Sequence, residues 1–500
     1  MLWDIAHALF DISLNVKLIG LIALGAGLGI FGGAMPGLSA PGALAISLPF
    51  TYSMNALEGV SFLASMYTGA QYGGSITATL LNTPGAPESA VMTLDGFELT
   101  RRGLARKALQ GAIWAGFVGG LIGIIFLVLL LNTAAQEAAR FGPVQYTALA
   151  VLGFTAMSSV AMGSHIKALA AAMLGLLFSL VGLDPISATP RFTFGSPDLY
   201  GGLPLVPALI GLFAVSEALI LAERGLFMSS SEAQKPVRFG WKDFLEHSRS
   251  MGVGSAVGLI IGVLPGGGAS IASWLAYSLS RFVSKEPENY GKGAIDGLLA
   301  PEAADKSMVG ASLIPLLALG VPSTASAGVI LGGFELHNIV PGPDLLTTHS
   351  DLVFAIIAAL LIANFSVACL GFALIYPLLR VRAVQPAVLG VFVLVLSLIG
   401  AYADNGIKFS MVLAISMGIF GYFLRRANVP IAPIILGMLL GPIFDQNLRR
   451  ALIASGGSLA PFVEDPFSLT LLTLAAVLAL FVMLTPMYKR MKLRRMKSPA

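Results

Sequence analysis

The sequence predicts an all-α polytopic membrane protein with two inverted-topology repeats, each combining a re-entrant helical hairpin, a discontinuous helix and supporting transmembrane helices. Composition is the first reason: 56% of the 500 residues are hydrophobic and 11% are charged, which leaves more apolar surface than a soluble fold can bury. The second reason is the recurrence of long apolar runs, and the third is that Gly/Pro-rich breaks occur in matching pairs. The runs do not alternate apolar and polar residues, so helices are predicted rather than barrel strands.

The elements begin with residues 1–16, which have neither the charged start nor the cleavage site of a signal peptide. An interfacial N-terminal helix is therefore predicted there. A membrane-crossing helix needs about 20 apolar residues. Runs that can form such helices recur to the end of the chain, at 18–31, 112–131, 166–183, 203–222, 352–379, 388–398, 411–424 and 471–484.

Lysine and arginine are concentrated in connections that share one side of this topology. Residues 92–107, 223–250 and 281–306 are rich in them, as is the tail at 488–500, whereas 337–351 contains neither. Because basic loops face the cytoplasm, a cytoplasmic C-terminus is predicted. Membrane orientation accounts for the basic residues, so nucleic-acid binding is not predicted. Two arginines, Arg449 and Arg450, fit this topology poorly and leave the arrangement of 430–461 open.

Two Gly/Pro-rich tips predict re-entrant hairpins at 27–50 and 252–281. The segments on both sides of 252–281 are basic, so the chain must return to the side that it left. The tip sequence PGGG would destabilise a continuous helix by about 3 kcal/mol at the proline and about 1 kcal/mol at each glycine. One long, kinked helix is the alternative.

Each hairpin is followed by a helix that a second proline interrupts, in LLNTPG and in LALGVPST. The two halves therefore repeat with a period of about 230 residues. The connection after the first interrupted helix is basic and its counterpart is not, so the copies are inverted. The predicted organisation is repeat 1 at 17–222 (hairpin 27–50, broken helix 57–91, supporting helices 108–222), a cytoplasmic linker at 223–250, repeat 2 at 251–487 (hairpin 252–281, broken helix 301–336, supporting helices 352–487) and a basic tail at 488–500.

The helix breaks form the predicted substrate and ion site. Discontinuous helices in inverted repeats are typical of secondary transporters, where free N–H groups can hold a carboxylate and free carbonyl groups can coordinate Na⁺. Ser75, Thr77 and Thr79 could add oxygens, although such hydroxyls also commonly bond to the preceding helical turn. The candidate binding residues are Pro36, Gly37, Ser39, Asn82, Thr83, Pro84, Gly85, Pro265, Gly266, Gly267, Gly268, Ser270, Pro322, Ser323 and Thr324.

Motifs for enzyme chemistry are not found. The five histidines are dispersed, and the sequence contains no HExxH, DDxxD or GxxxxGK[ST] pattern. No catalytic residue, metal centre or cofactor is predicted beyond a coupling ion, Na⁺ or H⁺, and the neutral oxygens at the breaks favour Na⁺. We expect elevator-type alternating access, in which the hairpins and broken helices move against the supporting helices; a rocking movement is the alternative. A passive anion or solute channel is the alternative function.

Five segments resemble signatures of the large membrane subunit of the tripartite tricarboxylate transporter family: AMPGLSAPGALAISLPF, YTGAQYGGSITATLLNTPGAPESAVMTLDG, LPGGGASIASWLAY, GKGAIDGLLAPEAA and LIPLLALGVPSTASAGVILGGFELHNIVPGP. The resemblance implies import of a di- or tricarboxylate, citrate-like, across the bacterial inner membrane and driven by a cation gradient. It also implies two partners, a periplasmic solute-binding protein and a small membrane subunit of about four helices. By analogy, we expect a homodimer.

Two positions depart from the family pattern. The sequence PEAADKS places Asp305 and Lys306 where the family usually has two amides, and GVPS places Ser323 where the family usually has glycine. We expect Lys306 to pair with Asp305 or Glu302 at the cytoplasmic mouth. The alternative is a cation that contributes to selectivity for an anionic substrate.

Overall fold

The structure, a computed structural model, describes residues 2–35, 38–82, 86–160, 165–223, 227–228, 237–266, 268–380, 383–384, 386–403 and 406–480. The chain divides into two compact units. The first comprises Met1–Ala139, Pro204–Val263 and Gly268–Phe423, and the second comprises Arg140–Leu203, Leu264–Gly267 and Leu424–Ala500.

Helices dominate the described residues. In chain order they are α1 (Leu2–Leu14), α2 (Val16–Gly33), α3 (Ala40–Ser47), α4 (Ala56–Leu81), α5 (Thr93–Arg101), α6 (Ala105–Ala138), α7 (Pro143–Val160), α8 (His165–Ser179), α9 (Leu205–Leu209), α10 (Ser216–Glu223), α11 (Trp241–Val263), α12 (Ala269–Val283), α13 (Asp296–Leu319), α14 (Ala325–Leu336), α15 (Leu345–Thr348), α16 (Ser350–Arg380), α17 (Pro386–Ala403), α18 (Lys408–Arg426), α19 (Ala432–Ala454), α20 (Pro461–Glu464) and α21 (Pro466–Leu480). A π-helical segment, Ile210–Val215, joins α9 to α10, and short 3₁₀ segments occur at Leu48–Ser53, Pro87–Met92, Pro197–Leu199 and Pro287–Asn289. The strands form two antiparallel pairs of two residues each: β1 (Gly182–Leu183) with β2 (Pro190–Arg191), and β3 (Phe227–Met228) with β4 (Ala383–Val384).

Several helices are long and apolar enough to cross a membrane. Among the described residues they are Val16–Gly33, Ala105–Ala138, Leu205–Glu223, Ser350–Pro377 and Lys408–Arg426. Large apolar side chains such as Phe31 and Leu129 are exposed on their outer faces, where lipid can cover them. The protein is therefore a multi-pass helical membrane protein. The inverted relation of its halves and the re-entrant nature of the hairpins stay predictions.

Small residues bring helices of the first unit into close contact. Gly119 and Gly123 of α6 face α13 so closely that a Cβ at Gly119 would meet the carbonyl oxygen of Ala303 and lie 2.9 Å from its Cα. Membrane helices associate through such small-residue faces because lipid supplies no hydrophobic force between them. The α6–α13 contact fixes the helix that carries Glu302, Asp305 and Lys306.

In the second unit, α19 packs against α7 and α8. Arg449, on α19, donates to the Asp184 carboxylate at 2.8 Å, and Arg191 donates to Asp184 and Asp445 at 2.8 and 2.9 Å. Arg449 was one of the two arginines that fitted the predicted membrane topology poorly, and its positive charge is balanced here by Asp184. Hydrogen bonds from Ser187, from the Ile186 N–H and from Arg449 hold the pKa of Asp184 well below its usual range.

The helix bounds refine the predicted segments. At the second predicted hairpin, 252–281, the first helix starts earlier than predicted, because α11 runs continuously from Trp241 to Val263. In the doubtful segment at 430–461, α19 is one helix of 23 residues with Pro442 inside it. The basic tail at 488–500 lies outside the described residues.

Candidate functional site

The second predicted break is present in the structure. Helix α13 ends at Leu319, where Gly320 adopts a left-handed conformation with φ of 71° that glycine allows without steric cost. Pro322 and Ser323 follow, both buried. Thr324 caps the next helix, and its side chain accepts a hydrogen bond from the Ala327 N–H at 3.0 Å. The start of α14 is thus a helix N-terminus inside the first unit.

The first predicted break also ends a helix. Helix α4 stops at Leu81, and Asn82 adopts the left-handed conformation with φ of 51°. Its side chain is exposed. The rest of the predicted break, Thr83, Pro84 and Gly85, lies outside the described residues.

A tyrosine of α4 brings the first interrupted helix to the second break. The Tyr67 hydroxyl lies 3.4 Å from Thr324 Oγ1 and is fully buried. Ser323 Oγ, also buried, lies 3.5 Å from the Ser312 carbonyl oxygen to which it donates. Around the α14 N-terminus the structure therefore gathers Tyr67, Ser323 and Thr324, of which Tyr67 was missed because an aromatic residue in a buried helix gives no sequence signal of its own.

The hairpin tips are described only in part. Ser39 caps α3, and its Oγ accepts from the Gly42 N–H at 3.4 Å. Gly266, with φ of 75°, packs within the second unit, where a Cβ would lie 2.8 Å from Met157 Cγ. Pro265 belongs to the second unit, whereas Gly268 and the half-buried Ser270 belong to the first. Pro36, Gly37 and Gly267 lie outside the described residues.

Two of the hydroxyl groups that could have added oxygens to the predicted site, those of Ser75 and Thr77, are bonded within their own helix instead. Ser75 Oγ donates to the Tyr72 carbonyl oxygen at 2.8 Å, and Thr77 Oγ1 donates to the Gly74 carbonyl oxygen at 3.2 Å. Each bond closes onto the preceding turn of α4. Thr79 Oγ1, in contrast, is buried with no hydrogen-bond partner among the described residues.

A buried group of charged residues lies on α13, which we call the α13 charge cluster: Glu302, Asp305 and Lys306. Glu302 and Asp305 are 0% exposed and Lys306 is 1% exposed. Lys306 Nζ donates to the Thr68 carbonyl oxygen, and Asp305 Oδ1 accepts from Gln71 Nε2 at 2.8 Å. The cluster is therefore an internal feature bonded to α4, and it differs from the ion pair at a cytoplasmic mouth that the sequence led us to expect.

Several polar atoms of this region have no hydrogen-bond partner among the described residues. They are both carboxylate oxygens of Glu302, Asp305 Oδ2, Gln71 Oε1 and the Tyr72 hydroxyl. Buried polar groups in proteins are otherwise hydrogen-bonded almost without exception. In proteins such groups are commonly satisfied by ordered water as well as by protein atoms.

A further carboxylate and a small cavity adjoin the cluster. Glu88 is buried in the short turn Pro87–Met92 that follows the first break. A cavity of about 10 Å³ is lined by Tyr72, Gly116, Lys306 and Asn364 among others, which is near the minimum space for one water molecule.

Asp95 forms a second polar site that the sequence analysis missed. Its carboxylate is 0% exposed and accepts hydrogen bonds from the N–H groups of Gly291, Gly293 and Ala294 at 2.9, 2.7 and 2.8 Å and from the Tyr277 hydroxyl at 3.0 Å. Positive φ angles at Gly291 and Gly293 turn the backbone toward the carboxylate. This site anchors the connection between α12 and α13.

The chain has long apolar helices, and one helix, α14, begins inside a buried region where polar residues gather. This combination is typical of membrane transporters. A family model described as the Tripartite tricarboxylate transporter TctA family matches residues 19–436. The chain belongs to this family of large membrane subunits.

Two relatives come from Agrobacterium vitis. The chain is 35% identical over 480 residues, 95% of both chains, to a protein described as "Uncharacterized 52.8 kDa protein in TAR-I ttuC' 3'region". It is 37% identical over 227 residues, 45% of this chain and 94% of the relative, to "Uncharacterized protein in TAR-II ttuC' 3'region".

Proposed function

We propose that this chain is the large membrane subunit of a binding-protein-dependent secondary transporter that imports a di- or tricarboxylate across the bacterial inner membrane. The observation that carries the proposal is the buried N-terminus of α14, capped by Thr324 and facing Tyr67. Helix N-termini attract carboxylates through free N–H groups and the positive end of the helix dipole. Membership of the transporter family supports the same function.

The partners in this proposal are a periplasmic solute-binding protein and a small membrane subunit of about four helices. The binding protein delivers the carboxylate, and the chain, a homodimer by analogy, moves it with its C-terminus in the cytoplasm. Access alternates by an elevator movement in which the hairpins and broken helices carry the site. Crosslinks that fix hairpin 27–50 to the supporting helices should then abolish uptake, and unchanged uptake would contradict the elevator.

The coupling ion is Na⁺ or H⁺. Hydroxyl and carbonyl oxygens at the breaks favour Na⁺, since they are ligands that need no proton. Buried carboxyl groups are present on α13, at Glu302 and Asp305. These groups favour H⁺.

The transport function is tested in proteoliposomes that contain the chain, the small subunit and the cognate binding protein. A panel of radiolabelled di- and tricarboxylates is offered with and without inward Na⁺ and H⁺ gradients. Accumulation above the external concentration that needs the binding protein supports the proposal. Uptake that only equilibrates supports the alternative, a passive anion or solute channel.

The α14 site is tested with Thr324→Val, which removes the capping oxygen at nearly constant volume. We expect the substrate concentration for half-maximal uptake to rise about tenfold, which corresponds to about 1.4 kcal/mol. The matched control is Thr324→Ser, which keeps a capping hydroxyl. Equal transport by the valine and serine variants would remove the α14 N-terminus from the proposed site.

A further inference from the structure

We propose that the α13 charge cluster, Glu302, Asp305 and Lys306, takes up and releases the coupling proton, so that this chain imports its carboxylate with H⁺ and without a requirement for Na⁺. The inference rests on the secondary-transport function proposed above and adds the identity of the coupling ion and of the residues that bind it. It depends on buried carboxyl groups that the binding of the carboxylate at α14 does not use.

The first argument is that the cluster holds two carboxyl groups that are fully buried and only partly compensated. Glu302 is 0% exposed, and the groups that act on its carboxylate are the Ser75 hydroxyl, which itself donates to the Tyr72 carbonyl oxygen, and the Lys306 ammonium. Asp305 is also 0% exposed, and its Oδ2 has no hydrogen-bond partner among the described residues. Ionisation of both carboxyl groups is destabilised, because burial removes their water and the single ammonium of Lys306 compensates only one negative charge. A carboxyl group that has gained a proton avoids this penalty.

The second argument is the charge balance. With Glu88, the buried acids number three against the one ammonium of Lys306, which gives a net charge of −2 if all four groups are ionised. Two protons on the carboxylates would bring this balance to zero. A proton also needs no coordination shell.

The groups that face the cluster allow such a titration. From α4 they are Tyr67 and Tyr72, from the turn after α4 it is Glu88, and from α16 the amide of Asn364 lines the cavity beside Lys306. Helix α6 presents glycine there, at Gly116.

Other charged groups on the helices packed against α13 have partners elsewhere, since Glu58 of α4 pairs with Lys17 and Lys107 of α6 pairs with Asp243. At the first turn of α13, His247 of α11 bonds to Asp296 at 2.9 Å, and Tyr277 of α12 bonds to Asp95. Glu335 lies at the end of α14, which follows α13 along the chain. The cluster's immediate titratable neighbours are therefore Glu88, Tyr67 and Tyr72.

The third argument is that the cluster is connected to the substrate break. Asp305 is hydrogen-bonded to Gln71 and Lys306 to the Thr68 carbonyl oxygen, both on α4. Tyr67, the residue before Thr68, contacts Thr324 at the start of α14. Protonation of Asp305 weakens its charge-assisted hydrogen bond to Gln71. The contact between α13 and α4 therefore weakens, and α4 is the helix that contacts the start of α14 through Tyr67. Proton and carboxylate binding are thereby linked.

The test uses proteoliposomes with the full complex and a pH-sensitive dye trapped inside, assayed in Na⁺-free buffers and, in parallel, with an inward Na⁺ gradient. We expect added carboxylate to acidify the lumen and an inward H⁺ gradient to drive accumulation at least tenfold above the level without a gradient. Accumulation that needs Na⁺ and brings no acidification would overturn the inference while leaving secondary transport intact. No movement of any carboxylate under either gradient would overturn both proposals.

Glu302→Gln separates coupling from structure. The amide cannot exchange a proton near neutral pH, so we expect H⁺-driven accumulation to fall at least tenfold. The thermal unfolding midpoint should be maintained or raised, because a buried carboxyl group is replaced by a neutral group of similar shape. Wild-type accumulation by this variant would refute the assignment, as would a lowered unfolding midpoint that explains the loss of uptake.

Asp305→Asn supplies the second readout. This variant keeps an amide oxygen that can accept from Gln71, and we expect it to move the pH optimum of uptake by one unit or more. The matched control is Glu98→Gln, which also replaces a carboxylate with an amide. Glu98 is partly exposed, and its Oε2 lies 3.1 Å from Arg101 Nη1. The pH profile of this control should equal that of the wild type. An unchanged profile for Asp305→Asn would exclude Asp305 from the coupling site.

Discussion

Removal of the Asp95 carboxylate should release the connection between α12 and α13. Asp95→Ala deletes the acceptor of three backbone N–H groups and of the Tyr277 hydroxyl at once. Hydrogen bonds to a charged group contribute about 1.5–3 kcal/mol each when buried, and they are not additive. The three N–H groups are partly exposed and can bond to water in the variant, so we take about 2 kcal/mol for the whole anchor.

The expected effect is measured by trypsin cleavage after Lys292, an exposed residue between two of the anchored N–H groups. Cleavage follows the population of the opened connection when opening is fast. A loss of about 2 kcal/mol predicts cleavage about 30-fold faster than in the wild type. Lys285, also exposed and outside the anchored residues, is the internal reference, with both rates obtained by mass spectrometry of the purified protein.

Two milder variants test the same reasoning. Tyr277→Phe removes one hydrogen bond, so about 1 kcal/mol and about fivefold faster cleavage are expected. Asp95→Asn keeps one oxygen near the backbone N–H groups and should lie between Tyr277→Phe and Asp95→Ala. An unchanged ratio of Lys292 to Lys285 cleavage in Asp95→Ala would refute the anchor, and so would equal effects of all three variants.

Two further predictions concern packing and pH. Gly119→Ala should lower the thermal unfolding midpoint, at a cost of about 1–3 kcal/mol, because the new methyl group would meet Ala303. Gly252→Ala, inside α11 where a Cβ meets nothing within 4 Å, should raise the midpoint, because alanine favours a helix by about 1 kcal/mol over glycine. A midpoint for Gly119→Ala as high as that for Gly252→Ala would contradict the α6–α13 contact. The depressed pKa of Asp184, caused first by the Ser187 hydrogen bond, means that its stabilisation is complete above the unfolded-state pKa of about 3.9 and is lost as pH falls below that value. Asp184→Asn should therefore lower the unfolding midpoint at pH 7 and differ less from the wild type at about pH 3, and a difference that is constant with pH would contradict the assignment.

The sequence alone determined the features that depend on local chemistry. Apolar runs without period-two alternation predicted membrane helices, and the structure has such helices. The end of α13 was predicted from the glycine and proline of LALGVPST, and it occurs at Leu319 because Gly320 takes a left-handed conformation that side chains disfavour. Thr324 at the start of α14 also follows from local chemistry, because threonine is a favoured residue at helix N-termini.

Only the tertiary structure decided which polar groups meet. Asp305 finds Gln71 across 234 residues of sequence, and Lys306 finds Thr68 across 238. The charges of PEAADKS looked compatible with a cytoplasmic mouth, because sequence shows the charge of a residue and not its depth. Burial is set by the neighbours: α13 packs against α4, α6 and α11, and this packing places a short run of charges inside the protein rather than on its surface.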